Sequence, residues 1–170
     1  MITSTSRLIV RQLEESDFAP FHEMQSDEEV MRYTTGKGLD ANENLGQLRD
    51  CIARYKIPCN DFWVWAITRK LDDKFIGTCA IVESENRSEI GYRLLRRYFG
   101  NGYGQEICDG VIDYGISVLQ LTEIIAFVDV RNAASRKILD RSRLRFISEQ
   151  TDENGRPERF YGWSAGGKIG

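Results

Sequence analysis

Three alternate glycines in the run Tyr98-Phe99-Gly100-Asn101-Gly102-Tyr103-Gly104-Gln105 stand between a strand-like segment and a helix-like one. Glycine accepts positive φ and has no Cβ, so successive amides can turn into one concavity that a diphosphate approaches at the level of the main chain. A helix opening at about Gly104 adds its unpaired N–H groups and the positive end of its dipole. A plain tight turn is the alternative. Two familiar phosphate loops do not fit. A Walker loop needs Lys and then Ser or Thr after its last glycine, and Gln105-Glu106 stands there. A dinucleotide fingerprint needs its third glycine one residue further on, inside a parallel βαβ unit. Here the spacing is Gly-x-Gly-x-Gly and the preceding strand belongs to an antiparallel meander.

With 170 residues, 41% hydrophobic and 29% charged, the chain reads as one domain over residues 1–170 with a core that needs no metal or disulfide. A net charge of −3 speaks against a general affinity for nucleic acid. A local basic patch of Lys70, Lys74, Arg93, Arg96 and Arg97 is expected around the phosphate site. The N-terminus has no apolar leader and no stretch reaches the ~20 apolar residues of a membrane span, so a cytoplasmic protein without membrane contact is expected. Cys51, Cys59, Cys79 and Cys108 lack metal spacing and the chain has a lone histidine, His22, so no metal site is expected.

Arg7 to Leu13 alternates as a strand, and Ser16 is placed to cap a helix carrying Phe18, Phe21 and Met24. A short turn from Asp27 to Tyr33 follows. Asp40 with Glu43 reads as a capping box for a helix with Leu45, Leu48, Ile52 and Tyr55 inward. Three strands come next, at Phe62 to Arg69, Phe75 to Val82 and Ser88 to Leu95. After the glycine loop, Ile107, Val111, Tyr114 and Val118 form a helical apolar stripe. Thr122 to Val130 reads as a buried strand and Asn132 opens a helix. A hairpin of Leu144 to Glu149 and Glu158 to Trp163 turns at Asp152 to Gly155. This order calls for an α/β (α+β) architecture, a mixed sheet flanked by helices.

The same order, with Ser88-Glu89-Ile90-Gly91-Tyr92-Arg93-Leu94, Phe99 to Glu106 and Arg131-Asn132-Ala133-Ala134-Ser135, resembles the GNAT superfamily of acetyl-CoA-dependent N-acetyltransferases. Within it the chain is similar to the branch of ribosomal-protein N-terminal acetyltransferases. The resemblance spans nearly the whole chain. It implies a mixed, mostly antiparallel sheet of about seven strands with a splayed central pair and about four helices around it. It also implies acetyl-CoA as donor. The main chain at Tyr92, Arg93 and Leu94 would pair with pantetheine, and Phe99, Gly100, Asn101, Gly102, Tyr103, Gly104 and Gln105 would surround the pyrophosphate. Asn132 would meet the pantetheine amide region, although an N-cap is an equally good use of Asn there. Two departures stand out. Leu139 occupies the position where many members carry a tyrosine acid, and the turn Ser142-Arg143-Leu144-Arg145-Phe146 lacks the usual glycine.

The implied reaction is direct attack of a neutral amine on the thioester. A carboxylate would serve as base, and Glu89 is the candidate beside the acetyl group, with an ordinary solvent-facing Glu as the other reading. Ser135 is the acid candidate, since its branch counterpart sits near the CoA sulfur; a small helix-packing residue is its alternative. Tyr33, Trp63, Trp65 and Tyr103 could shape the acceptor cleft, Tyr33 foremost, because the segment between the first helices walls the substrate in the resembling family. The expected acceptor is a peptide or protein N-terminal α-amine. A small amine such as a polyamine or aminoglycoside, or a CoA-binding module without catalysis, stays open, as does a homodimer of the kind common in the family.

Overall fold

The computed structural model describes every residue except Glu85, Lys168 and Gly170. Eight strands form one sheet in the order β1-β2-β3-β4-β5-β6-β8-β7. They are β1 (Thr3–Ser4), β2 (Leu8–Arg11), β3 (Phe62–Arg69), β4 (Phe75–Ser84), β5 (Arg87–Leu94), β6 (Glu123–Asp129), β7 (Arg145–Thr151) and β8 (Pro157–Ser164). The helices are α1 (Phe18–Ser26), α2 (Glu28–Met31), α3 (Ala41–Arg54), α4 (Tyr103–Ser117) and α5 (Ala133–Leu139). Among the described residues no helix is long and apolar enough to cross a membrane.

The sheet has one strand more than the seven expected, because the two-residue β1, paired at Thr3↔Val10, is too short to show an alternating pattern. The first long strand is also shorter than Arg7 to Leu13. Ser16 does not cap α1. Glu14 instead opens a 3₁₀ turn at Glu15–Asp17, and Asp17 is drawn inward to accept from Arg11 Nη1 and Nη2 at 2.7 Å each. The Asp40–Glu43 capping box forms as expected, with reciprocal bonds of 2.9 and 2.8 Å. The buried stripe of α3 is Asn44, Leu48 and Cys51. At the turn without glycine, Ser142 Oγ donates to Leu139 O at 2.8 Å and accepts from Leu144 N at 3.0 Å, so a side chain closes what a left-handed residue closes elsewhere.

Every neighbouring pair of strands is antiparallel except β5–β6, which is parallel and held at Ser88↔Ile124 and Glu89↔Ile125. Both strands continue for several residues beyond that contact, so the sheet opens into a wedge at its centre. Strand alternation assigns the two faces. Trp65 points toward α4, edge-on to Tyr114 at 5.9 Å, and joins Ile107, Cys108 and Val111 in the core. The opposite face carries Phe62, Val64, Ala80, Val82, Glu89, Gly91 and Arg93 toward α1 to α3.

Candidate active site

The glycine loop has the geometry its composition implies. Gly100 and Gly102 have φ of 74° and 78°, and Gly102 is the N-cap of α4, which begins at Tyr103 rather than Gly104. Added Cβ atoms would meet nothing within 4 Å at Gly100, whereas at Gly104 one would stand 2.8 Å from Ile138 Cδ1. The first glycine keeps a concavity open, and the last lets α5 pack closely against α4. The amides of the first turn have no intrahelical acceptor and are free for an anion. Gln105 turns its side-chain amide to Asp109, at 3.1 and 3.2 Å. Phe99 is exposed at the rim of the cavity.

The N-terminal residues brace the back of this loop. Glu106 accepts from Thr5 Oγ1 at 2.5 Å, Arg7 N at 2.7 Å and Arg7 Nε at 2.6 Å. Arg7 also donates to Asn101 O at 3.1 Å and lies 4.5 Å over the Tyr103 ring. Burial would raise the Glu106 pKa, but the bonds from Thr5 and Arg7 hold it below the ordinary value. Sequence reading did not single out Arg7 or Glu106; an acidic residue in the first turn of the helix was the available signal. The expected basic patch disperses instead. Lys74 pairs with Asp72 and Arg97 with Glu23, and Arg93 points to the other face. Lys137 on α5 and Arg141 in the turn after it, which sequence reading passed over, line the cavity.

At the wedge, Leu95 N donates to Ile76 O, which fixes the alternation along β5. The N–H and C=O groups of Tyr92 and Leu94 therefore turn away from β4 toward the gap, whereas those of Arg93 turn toward Thr78. Arg93 thus departs from the expected main-chain role, and its side chain is what reaches the cavity. The Tyr92 ring points to the α4 and α5 side; its hydroxyl is buried without a hydrogen-bond partner, close enough to Ser135 for the two to interact electrostatically. Burial pushes the Tyr92 pKa well above its ordinary value. Asn132 caps α5, its Oδ1 accepting from Ser135 N at 3.1 Å, and also lines the cavity.

The cavity, about 1090 Å³, runs from the glycine loop along the wedge to the face of the sheet under α1 to α3. That is room for an extended cofactor arm together with an acceptor. Glu89, Gly91 and Arg93 lie in one row along its floor. Glu89 is half-buried; burial raises its pKa, the charge of Glu158 adds to the rise, and the nearby Ser84 offsets part of it. Glu158, which sequence reading passed over, accepts from Gln150 Nε2 at 3.1 Å and is likewise raised by burial. Asp129, opposite it on β6, is held low by a bidentate pairing with Arg131 at 2.9 and 2.6 Å. Tyr33 stands at the mouth, where its hydroxyl donates to Arg131 O at 3.3 Å. The other aromatic candidates are elsewhere. Trp63, Trp65 and Tyr103 face the α4 side, where alternation on β3 and the packing of the helix start take them away from the cleft. Phe62 and Tyr98 line the cavity in their place.

The profile of the acetyltransferase (GNAT) domain matches residues 7–145. Among curated relatives, the uncharacterized N-acetyltransferase YoaA of Bacillus subtilis is 32% identical over 143 residues, 81% of this chain and 79% of that one. The uncharacterized N-acetyltransferase p20 of Bacillus licheniformis is 34% identical over 145 residues, 80% and 78% of the two chains. The fold is similar to that of a GNAT-family acetyltransferase from Bacillus anthracis, with a TM-score of 0.85 and 20% identity over 95% of this chain and 97% of that one. It is also similar to RimL, a ribosomal L7/L12 α-N-protein acetyltransferase in complex with coenzyme A (TM-score 0.81, 14% identity, 98% and 99% covered). A spermidine N-acetyltransferase from Vibrio cholerae in complex with CoA and spermine gives a TM-score of 0.79 at 16% identity, with 95% and 98% covered.

Proposed function

The chain belongs to the GNAT family of acetyltransferases, and on that premise we propose that it transfers the acetyl group of acetyl-CoA to the α-amine of a peptide or protein N-terminus. The observation that carries this reading is the continuity of one cavity, from a glycine loop with open amides, past unpaired main-chain groups in a splayed sheet, to a half-buried carboxylate. Relatives of this fold have been seen with coenzyme A bound, which supports the donor.

Fit to the donor rests on this chain's own features. The open concavity at Gly100, the first-turn amides of α4 and the cationic side chains of Lys137 and Arg141 suit phosphates. The main-chain groups of Tyr92 and Leu94 and the uncapped amide nitrogen of Asn132 suit the amides of pantetheine. When bound, acetyl-CoA supplies an activated acyl carbon and a thiolate leaving group. Glu89, with its raised pKa, takes the proton from the acceptor's ammonium directly or through a water, so that a neutral amine is presented. Ser135 and the neighbouring Tyr92 hydroxyl would hydrogen-bond the departing sulfur, a role left open by Leu139. Much of the rate then comes from holding the amine in line, which is worth up to ~10⁵–10⁸ M in effective concentration.

A polyamine acceptor is the second reading, favoured by the acidic groups Glu89 and Glu158 in the cleft and by the spermidine enzyme among the similar folds. The test is calorimetric titration of the wild type and Gly102→Glu with acetyl-CoA, followed by free-thiol release with peptide amines and spermidine. Saturable binding that the folded variant loses, together with turnover on peptides, is expected. Absence of binding to folded wild type would overturn the donor, and binding without thiol release on any amine would leave a CoA-binding module.

A further inference from the structure

Arg93 is a half-buried cation with no anion beside it. Its Nη1 donates to Gln25 Oε1 at 2.7 Å and lies 3.8 Å from Met31 Sδ, and among the described residues it has no other hydrogen bond or ion pair. The next shell holds no carboxylate either. Gln25 Nε2 donates to Asn44 Oδ1 at 3.1 Å and Gln47 Oε1 at 3.0 Å, and Asn44 Nδ2 meets Leu39 O at 3.1 Å and His22 Nδ1 at 2.8 Å. Arg7, Arg11 and Arg131, by contrast, are paired with Glu106, Asp17 and Asp129. Burial lowers the pKa of Arg93. A guanidinium has five N–H donors and stays charged, so one neutral acceptor leaves most of its capacity unused where desolvation is costly. Its partial accessibility is to the cavity it lines.

Its position relative to Glu89 gives the vacancy a meaning. The two lie on the same face of β5, four residues apart, with Gly91 between them and nothing within 4 Å of where a Gly91 Cβ would be. At the rise of a strand their Cα atoms are about 13 Å apart, the length of an extended peptide of about four residues. One end of the cleft therefore offers a carboxylate to an amine and the other a cation to an anion.

We propose that Arg93 is the acceptor's anion subsite, so that the preferred substrate is a peptide N-terminus with an acidic side chain within its first few residues. This rests on the acetyltransferase reading and selects within it. A polyamine would bring a second ammonium to the guanidinium and be repelled, whereas a carboxylate completes a bidentate, charge-assisted pair. A free amino acid carries the required chemistry too, but its carboxylate lies too near its amine to span the row from Glu89 to Arg93.

The experiment measures kcat/KM by thiol release for two peptides that differ only in having Asp and Glu, or Asn and Gln, at positions two and three, alongside free glutamate and spermidine. Wild type should favour the acidic peptide by at least about tenfold, as sites built to pair a polar group reject the analogue lacking it. In Arg93→Met the ratio should fall to about one, with melting temperature checked separately. The wild-type ratio decides the matter even if that variant does not fold. Equal rates for the two peptides would overturn the inference while leaving peptide acetylation standing, and spermidine or glutamate outrunning the acidic peptide would overturn it as well. Acetyl-CoA binding with no turnover of any peptide would overturn the peptide-acceptor reading itself.

Discussion

Gly91 lies in a central strand and is nevertheless exposed, because its missing side chain faces the cavity. It pairs with Ala80, its φ is not among the positive ones, and an added Cβ would meet nothing within 4 Å. No steric or backbone cost therefore opposes Gly91→Ala in the folded state, while the unfolded chain loses conformational freedom. The gain should be about 0.4–1 kcal/mol. For a chain of this size that raises the melting temperature by about 1–4 °C. Gly91→Leu meets no clash at its Cβ either, and the rest of its side chain would occupy the floor between Glu89 and Arg93. An acceptor displaced by about 1 Å loses on the order of 10²-fold in rate, so kcat/KM should fall that far for Leu and less for Ala. Thermal melts, calorimetric titration with acetyl-CoA and thiol release with a peptide amine separate the effects: stability up, donor binding retained, transfer down. A lower melting point for the alanine variant would mean that the space at Gly91 is not open. A leucine variant with wild-type kcat/KM would mean that the acceptor does not lie along this row.

Three further variants probe the site. Because burial raises the Glu89 pKa above its ordinary 4.5, the base is protonated, and transfer lost, at a higher pH than an exposed carboxylate would give. Glu158→Gln removes the neighbouring negative charge, so the acid limb of the rate profile should move to lower pH, whereas Glu89→Gln should cost ~10²–10⁴ in rate; an unmoved limb in the first variant, or wild-type rates in the second, would remove Glu89 as base. Tyr92→Phe deletes a buried hydroxyl that has no hydrogen-bond partner, so the melting point should hold or rise while kcat falls. A loss of stability with kcat intact would assign that hydroxyl a structural duty instead.

Local chemistry made much of the fold legible in the sequence. Alternation set β3 at Phe62–Arg69, the Asp40–Glu43 pair started α3, and the spaced glycines set the loop before α4, because each of these signals acts within a few residues. Where distant partners compete, local reading ran short. Asp17, committed to Arg11, moved the start of α1, and β1 exists only because β2 is there to pair with it. The same division holds at the site. Gly100, Gly102 and Gly104 could be picked out by their spacing, and Asn132, Ser135 and Glu89 by the resemblance to the family, and the structure brings all six to one cavity. That Trp63 and Trp65 face away, that Glu158 from the last hairpin joins Glu89, and that Arg7 braces the glycine loop were decided by strand register and by contacts between residues remote in the chain. Above all, β5 alone says only that Glu89, Gly91 and Arg93 share a face. Which face is roofed by neutral amides, leaving a guanidinium without a counter-charge, depends on how α1 and α3 settle on the sheet, since burial and pairing are properties of the packed molecule.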